Sequence, residues 1–392
     1  MLNLEVDDHK IWSVFQPIYS LVNQSFMGVE ALVRGQNGQT NEMLPVKYCI
    51  HPYGGEEDLK HLKRLNKMHL RNWRAQQQRG WLFVNLDFQD LTKVDDLCLV
   101  ELLEELGIPG KKVVVEVVES EVFDEKLLAQ VVAQLREYGC IIALDDFGAG
   151  HSNIERISTV KPDIVKLDRK VLLNACDNEL SESVLRNLVM LIKQSGSLSL
   201  LEGVETKAQA MLAMDVGVDL VQGFYFGRPE RQCMNTVMGE GVIKDVVESY
   251  PAYRSQNLTK HLLKRKLYEC MFKGFVGLES ASVLEDEMLA VSSLSNVKRS
   301  YMLDMNGYQF ADAVYAEGAD QSKKVVKKGT GLCWRSRRYF VKAVNNPDSV
   351  YISRPYRSLI DVELCVTVSK VVQLQTDEKY VVCFDLHFKE NS

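Results

Sequence analysis

The chain has 392 residues, 46% of them hydrophobic and 26% charged, with a net charge of −6. That length suits two domains, and the balance describes a globular chain with ample core, not a disordered or fibrous one. The mild negative charge argues against general nucleic-acid binding and leaves room for a local basic pocket suited to a phosphate ligand.

In chain order, WSVFQPIY at Trp12 to Tyr19 reads as a strand, and FMGVEAL at Phe26 to Leu32 as a second that delivers Glu30 and Arg34 to its end. Residues 35–58 read as irregular, punctuated by Gly35, Gly38, Pro45, Pro52, Gly54 and Gly55. A helix is expected over Leu59 to Gln78, then a buried strand over Trp81 to Leu86 with Asn85 near its end. A helix over Leu97 to Leu106, a strand over Val113 to Val118 carrying Glu116 ahead of Glu119, and a helix over Glu125 to Tyr138 follow.

The stretch from Ile141 to Gly150 organises the rest. Four apolar residues read as a strand buried on both faces, and Asp145 and Asp146 follow at once, ahead of Phe-Gly-Ala-Gly. Two carboxylates that close repel each other, so one must hold a proton or both must meet a cation. Oxygen donors of this kind suit Mg²⁺, Mn²⁺ or Ca²⁺. For an isolated Asp-Asp pair, a turn that merely caps the next helix is the alternative. Ile164 to Leu167 is a short strand containing Lys166, with Asp168 just after it; a helix over Glu182 to Ser195 leads to the strand Leu198 to Leu201, ahead of Glu202. A last helix precedes the strand Leu220 to Phe226, which contains Gln222.

Seven or eight strands alternating with helices make this an α/β chain, and favour a (β/α)₈-type barrel over an open doubly wound sheet. Glu30, Asn85, Glu116, Asp145, Lys166, Glu202 and Gln222 each fall within or at the end of a different apolar strand. A barrel gathers those ends on one face, where catalytic groups collect. Any one of them can be a strand terminator facing solvent. Seven together are not, since Glu116 and Lys166 interrupt Val/Ile/Leu runs where burial is costly without partners.

These segments resemble the EAL family of cyclic di-GMP phosphodiesterases: Glu30-Ala31-Leu32 with Arg34, FVNL at Phe83 to Leu86, EVVES at Glu116 to Ser120, DDFGAG from Asp145, KLDR from Lys166, EGVET from Glu202 and QGFYFGRP from Gln222. The resemblance covers about residues 10 to 230 and implies a modified TIM-like barrel with one strand running against the others. It implies two ions, Mg²⁺ or Mn²⁺. Glu30, Asn85, Glu116 and Asp145 would hold one, and Asp145 would bridge to a second held also by Asp146 and Glu202. Lys166 would orient or polarise the attacking water, and Glu119 would brace the loop carrying Asp145 and Asp146. Gln16, Leu32, Arg34 and Gln222 would line the dinucleotide pocket. The implied reaction opens cyclic di-GMP to linear pGpG, with a receptor that binds the dinucleotide and turns it over poorly as the alternative. Departures from the family pattern are Asp87, Val118 and Ala149, none of which removes an implied metal ligand. A homodimer is expected partly through HSNIERISTV, residues 151–160, whose apolar members follow the acidic turn.

The expected domain boundary lies near residue 250, giving domains at 1–250 and 251–392. After a mixed stretch over 231–258, helices are expected over Leu258 to Lys273, with Lys260, Lys264, Arg265 and Lys266 as a solvated face, and over Glu279 to Ser293. A β-rich pattern follows from Arg299, and the alternation in Val362 to Val368 fits antiparallel strands with one covered face. Helices followed by a short antiparallel sheet suggest a small α+β domain. RRYFVKAVNNPDSVYISRPYRS and VVCFDLHF resemble Cache/PAS-like sensor domains, which implies a regulatory role and a small-molecule ligand. Arg337, Arg338, Tyr351, Tyr356, Arg357 and Asp385 are its candidate pocket or fold residues.

Nine cysteines without CxxC or Cys/His spacing read as buried free thiols of a reducing compartment. The opening MLNLEVDDHK lacks a basic segment leading into an apolar one, and no apolar run approaches about 18 residues. Neither a signal peptide nor a membrane helix is expected, and the expected location is cytoplasmic.

Overall fold

The computed structural model describes residues 1–76, 80–86, 94, 97–118, 124–149, 154–232, 236–294, 296–317, 323–327 and 329–388. The chain forms two compact units, Met1–Arg254 and Ser255–Ser392. No described helix is long and apolar enough to cross a membrane.

The first unit begins with β1 (Asn3–Val6), β2 (His9–Ser20), β3 (Ser25–Gln36), α1 (Val46–Ile50), α2 (Glu56–Arg74), β4 (Trp81–Leu86) and α3 (Leu99–Leu106). It continues with β5 (Val113–Val118), α4 (Glu125–Glu137), β6 (Ile141–Phe147), α5 (Glu155–Val160), β7 (Ile164–Leu167), α6 (Arg169–Asp177), α7 (Glu179–Gln194), β8 (Leu198–Leu201), α8 (Lys207–Val216) and β9 (Leu220–Gln222). Strands β2 to β9 pair in chain order, and β2 pairs with β9 to close an eight-stranded barrel, with β1 an additional strand on β2. The pairs from β3 to β9 are parallel, whereas β2 runs antiparallel to both its neighbours. Odd-numbered residues of β3 (Val29, Ala31 and Val33) are buried in apolar clusters outside the barrel, as the period-2 alternation requires. Inside, Ile18, Phe83, Val114, Ala143, Ile164, Leu200 and Leu220 form a separate apolar layer. Gly28 belongs to this tight packing: a Cβ there would lie 2.3 Å from the Trp81 carbonyl oxygen, across the β3–β4 pair.

Several sequence expectations are corrected. Residues 35–58 are not wholly irregular: β3 runs to Gln36, α1 lies within them, and α2 starts at Glu56. The short α5 and α6 had no distinct sequence signal and were not expected. The last strand stops at Gln222 instead of Phe226, because Gly223 brings the backbone against Val204, where a Cβ would lie 2.1 Å from a carbonyl oxygen. The chain then turns, tied by Tyr225 N–H to Val204 O and Gly227 N–H to Gly223 O.

Helix α9 (Thr236–Glu269) is the largest correction, because the expected helix began only at Leu258. Gly239, Gly241 and Pro251 look like breakers in sequence. Burial overrides them: Ile243 and Val246 are fully buried in the first unit's core, and Gly239 lets the helix meet Tyr19, whose hydroxyl would lie 1.9 Å from a Cβ. Past α9 the chain tightens into a 3₁₀ segment, Cys270–Phe275, which buries Met271, Phe272 and Phe275.

The second unit adds α10 (Ala281–Val291), β10 (Val297–Leu303), β11 (Ala313–Glu317), β12 (Lys323–Lys327), α11 (Arg338–Asn345), β13 (Tyr351–Ile352), β14 (Tyr356–Arg357), β15 (Leu364–Gln373) and β16 (Lys379–His387). Its seven strands form one antiparallel sheet in the order β12-β11-β10-β16-β15-β13, with β14 also on β15. On this sheet Arg299 pairs with the buried Asp385, which also accepts from Thr367 Oγ1 at 2.7 Å and Tyr301 Oη at 3.3 Å. Tyr356 Oη lies 2.6 Å from Thr367 Oγ1. Of the candidate residues of this unit, Asp385 and Tyr356 thus belong to an internal network, whereas Arg338 and Arg357 are exposed. Of the thiols expected to be buried, Cys49, Cys140, Cys365 and Cys383 are, whereas Cys176, Cys270 and Cys333 are exposed.

Candidate active site

One rule of parity builds the site. On each inward-facing strand the apolar residue of the inner layer is followed two positions later, on the same face, by a polar one. Phe83 precedes Asn85, Val114 precedes Glu116, Ala143 precedes Asp145, Ile164 precedes Lys166, Leu200 precedes Glu202 and Leu220 precedes Gln222. On β3, Gly28 precedes Glu30; on the reversed β2, Gln16 comes before Ile18. The polar groups therefore form a second layer at the C-terminal end of the parallel strands, directly over an apolar floor.

Lys166 stands at the centre of that layer, 1% exposed. Its Nζ lies 2.6 Å from Glu116 Oε1, 2.8 Å from Glu202 Oε1, 3.1 Å from Asp145 Oδ1 and 3.6 Å from Glu30 Oε1. Burial alone would favour the neutral amine, but the four carboxylates outweigh it and hold the ammonium pKa well above its ordinary value. One ammonium cannot balance four carboxylates. Burial, joined by the charges of Glu30 and Asp145, pushes Glu116 well above the ordinary carboxylate range. Burial likewise raises Glu202 to about 8 against the pull of Lys166. Glu30 goes the other way: burial would raise it, but Lys166 and the hydrogen bonds from Gln222 and Asn85 hold it below its usual value.

The donor set fits a divalent cation. Glu116 is fully buried, its Oε1 meets the ammonium in an orientation that makes no hydrogen bond, and its Oε2 has no hydrogen-bond partner. Oxygens of Asp145, Asp146 and Glu202 lie within 4.8 Å of one another. Surplus buried carboxylate oxygen without donors is what hard cations with oxygen ligands take up. Local backbone geometry serves this cluster. The β6–β7 register shifts between Leu144 and Phe147, and Asp146 takes a left-handed φ of +57° with its N–H on Asp145 Oδ1 at 2.9 Å. This irregularity leaves Asp146 exposed at the rim while Asp145 stays buried beside Lys166, and the left-handed φ is one Asp tolerates better than most residues. Here β6 continues through both acids to Phe147, where the sequence reading ended the apolar strand before them.

The remaining expected residues fall in three places. Asn85 is exposed at the rim and donates to Glu30 Oε1 at 3.3 Å. Leu32 and Arg34 share the face of Glu30 and lie beyond it on β3, past the end of the β3–β4 pairing; both are half-buried, and Arg34 Nη1 donates to its own Val33 carbonyl at 2.7 Å. Gln16 and Gln222 are buried beside Glu30, and Gln222 Nε2 donates to Glu30 Oε2 at 2.6 Å. Glu119 and Asp87 lie outside the described residues. So do residues 151–153 of the expected dimer segment; in its described part Ile157 and Val160 are buried in apolar clusters of the barrel and Ile154 is 59% exposed. One participant was not expected: the Gly227 carbonyl, which accepts from Gln16 Nε2 at 3.4 Å. Its signal was the pair of glycines four residues apart in QGFYFG.

A family model described as the EAL domain matches residues 2–229. Over 133 residues the chain is 31% identical to the probable cyclic di-GMP phosphodiesterase PdeA of Escherichia coli, covering 34% of this chain and 18% of that protein. Over 232 residues it is 27% identical to the cyclic di-GMP phosphodiesterase RocR of Pseudomonas aeruginosa, covering 57% and 58% respectively. The chain thus spans less than two thirds of the length of these curated relatives. Its fold is similar to the crystal structure of the Bacillus subtilis YkuI protein, an EAL-domain protein in complex with substrate c-di-GMP and calcium. The TM-score is 0.80 at 22% identity, over 97% of this chain and 96% of that one.

Proposed function

The chain belongs to the EAL domain family, and from that premise we propose that its barrel is a metal-dependent phosphodiesterase that hydrolyses cyclic di-GMP to linear pGpG. The observation that carries this reading is the buried Lys166 ringed by Glu30, Glu116, Asp145 and Glu202, with Glu116 short of donors.

In this reading Glu30, Asn85, Glu116 and Asp145 would hold one Mg²⁺ or Mn²⁺, and Asp145, Asp146 and Glu202 a second. Ions held there supply Lewis acidity toward water and neutralise phosphoryl charge. Lys166 keeps its ammonium aimed at the attacking water, held in place by the carboxylates around it. Glu202 Oε1, 2.8 Å from the Lys166 ammonium, helps to hold it in that orientation. The water oxygen bonds to phosphorus and loses a proton to solvent, the P–O3′ bond breaks, and the departing O3′ takes up a proton from solvent, giving a 5′-phosphate and a 3′-hydroxyl. Leu32 and Arg34 border the dinucleotide above Glu30, with Gln16 and Gln222 beneath them, and the Arg34 guanidinium suits a bidentate phosphate contact. Glu119 is assigned the bracing of the Asp145–Asp146 turn.

The second unit is read as a Cache/PAS-like regulatory domain that takes a small-molecule ligand; its antiparallel sheet with α10 and α11 supports an α+β sensor. A homodimer belongs to the same reading, with exposed Ile154 its remaining support in the expected segment.

The test is incubation of the purified chain with cyclic di-GMP and Mg²⁺, with chromatographic separation of the products, beside Glu30→Ala and a chelator-treated control. The reading expects pGpG from the wild type alone. Tight dinucleotide binding without turnover would instead favour a receptor.

A further inference from the structure

Glu30 is aimed by a chain of carboxamides. Gln222 Nε2 donates to Glu30 Oε2 at 2.6 Å and to Gln16 Oε1 at 3.3 Å, and Gln16 Nε2 in turn reaches the Gly227 carbonyl. The three side chains come from β9, β3 and β2, so the chain crosses both seams where the antiparallel β2 closes the barrel. Gln16 sits directly opposite Glu30 in the β2–β3 register, and Ile18 opposite Gln222 in β2–β9.

The direction of the Gln222 amide is set by its neighbours. A flipped amide would place Oε1 against Glu30 Oε2 and Gln16 Oε1, three acceptors with no proton among them. In the orientation observed, both N–H groups are used and Oε1 is left buried without a hydrogen-bond partner. Gln222 is 3% exposed and Gln16 9%, so both lie below the rim. A side chain that only filled the core would be apolar at this depth. An orphaned buried acceptor at such a position is instead a mark of a functional constraint.

Resting on the reading that Glu30 is a metal ligand, we infer that Gln222, steadied by Gln16, is a positioning residue that fixes the Glu30 carboxylate for divalent-metal binding. Oε2 is held by Gln222, which turns Oε1 toward Asn85 and Lys166. Groups that orient a ligand in this way typically govern metal affinity by about 10- to 100-fold.

The test uses the full chain with Gln222→Met and Gln16→Met, which keep the side-chain length and remove the donors. Mn²⁺ affinity is measured by EPR without substrate, and kcat and KM for cyclic di-GMP separately. Gln222→Met is expected to weaken Mn²⁺ about tenfold and lower kcat at least as much, with KM within about twofold. Gln16→Met is expected to have a smaller effect in the same direction. In a Glu30→Gln background Gln222→Met should add nothing, since the group it aims is gone. Unchanged Mn²⁺ affinity, or a rise in KM alone, overturns the inference and makes Gln222 a substrate contact or core filler. If circular dichroism shows Gln222→Met unfolded, Gln16→Met decides: unaltered Mn²⁺ affinity there overturns the inference. A wild type that forms no pGpG while Gln222→Met still loses Mn²⁺ affinity would refute the proposed reaction and leave the positioning role standing.

Discussion

Lys166 Nζ and Glu116 Oε1 are 2.6 Å apart at the centre of the barrel, both side chains closed off from solvent. Asp145, Glu202 and Glu30 also lie within 4 Å of the ammonium, so one positive charge faces four carboxyl groups. The pair therefore sits in a field of excess negative charge, and its stability depends on what other cation the carboxylates meet.

Lys166→Met keeps the aliphatic stem and removes the charge. An uncompensated buried charge costs about 3–5 kcal/mol, partly relieved here by protonation of the carboxylates. The variant in chelator should unfold more easily than the wild type by roughly 3 kcal/mol. Millimolar Mg²⁺ should recover most of that loss, because it binds the folded chain alone. Urea titrations with and without Mg²⁺ measure both effects, and a metal-free variant as stable as the wild type would contradict the charge argument.

His69 gives the barrel an acid-labile point. It is buried with Nδ1 2.9 Å from Ser13 Oγ, and burial lowers its pKa from 6.5 to about 4. Below pH 6.5 the unfolded chain takes up a proton that the folded chain refuses. The contribution to stability is therefore whole above that pH and falls away toward pH 4. The difference amounts to about 3 kcal/mol across that window. His69→Gln cannot titrate, so its stability should fall less steeply between pH 6.5 and 4.5 than that of the wild type. Parallel curves from urea unfolding would show that His69 is not the group responsible.

Asp385→Ala should loosen the second unit. Arg299 would lose its buried carboxylate, and Thr367 and Tyr301 their shared acceptor, at a cost of about 3–5 kcal/mol. Hydrogen exchange should accelerate in β10, β15 and β16, the strands that carry these residues, while β5 to β8 keep their protection. Equal protection in all of these strands would mean that the pair contributes little.

The fragment 1–254 should retain hydrolysis. Each described residue of the proposed metal site lies between Glu30 and Glu202, inside the unit Met1–Arg254. A ligand of the second unit can shift activity only by its differential affinity for two states, so regulation of a few-fold to about a hundredfold is expected. Turnover of the folded fragment beside the full chain at matched Mg²⁺ checks this. A folded fragment that binds substrate yet does not turn it over would show that the second unit supplies something essential.

Much of the barrel and its polar ring was readable from the chain itself. Asn85, Glu116, Asp145 and Lys166 each stand out as a polar residue in or at the end of a short apolar run, whereas which face of the strand points inward is decided by closure of the barrel. Strands β4, β5, β7 and β8 have the bounds the apolar runs implied, since those runs are short, buried and cleanly punctuated. Local signals failed where burial or closure outweighed them. Pro251 and two glycines disguised α9, whose buried Ile243 and Val246 hold it helical. Asp146 was readable as an acid, but not its left-handed backbone, which follows from the β6–β7 register shift. Gln222 and Glu30 are 192 residues apart in sequence, and what joins them is the return of β2 between β9 and β3. Which carboxamide aims which carboxylate is set by that closure, because hydrogen-bond partners so far apart are chosen by the packing of the whole barrel and leave no periodic trace in the residues beside them.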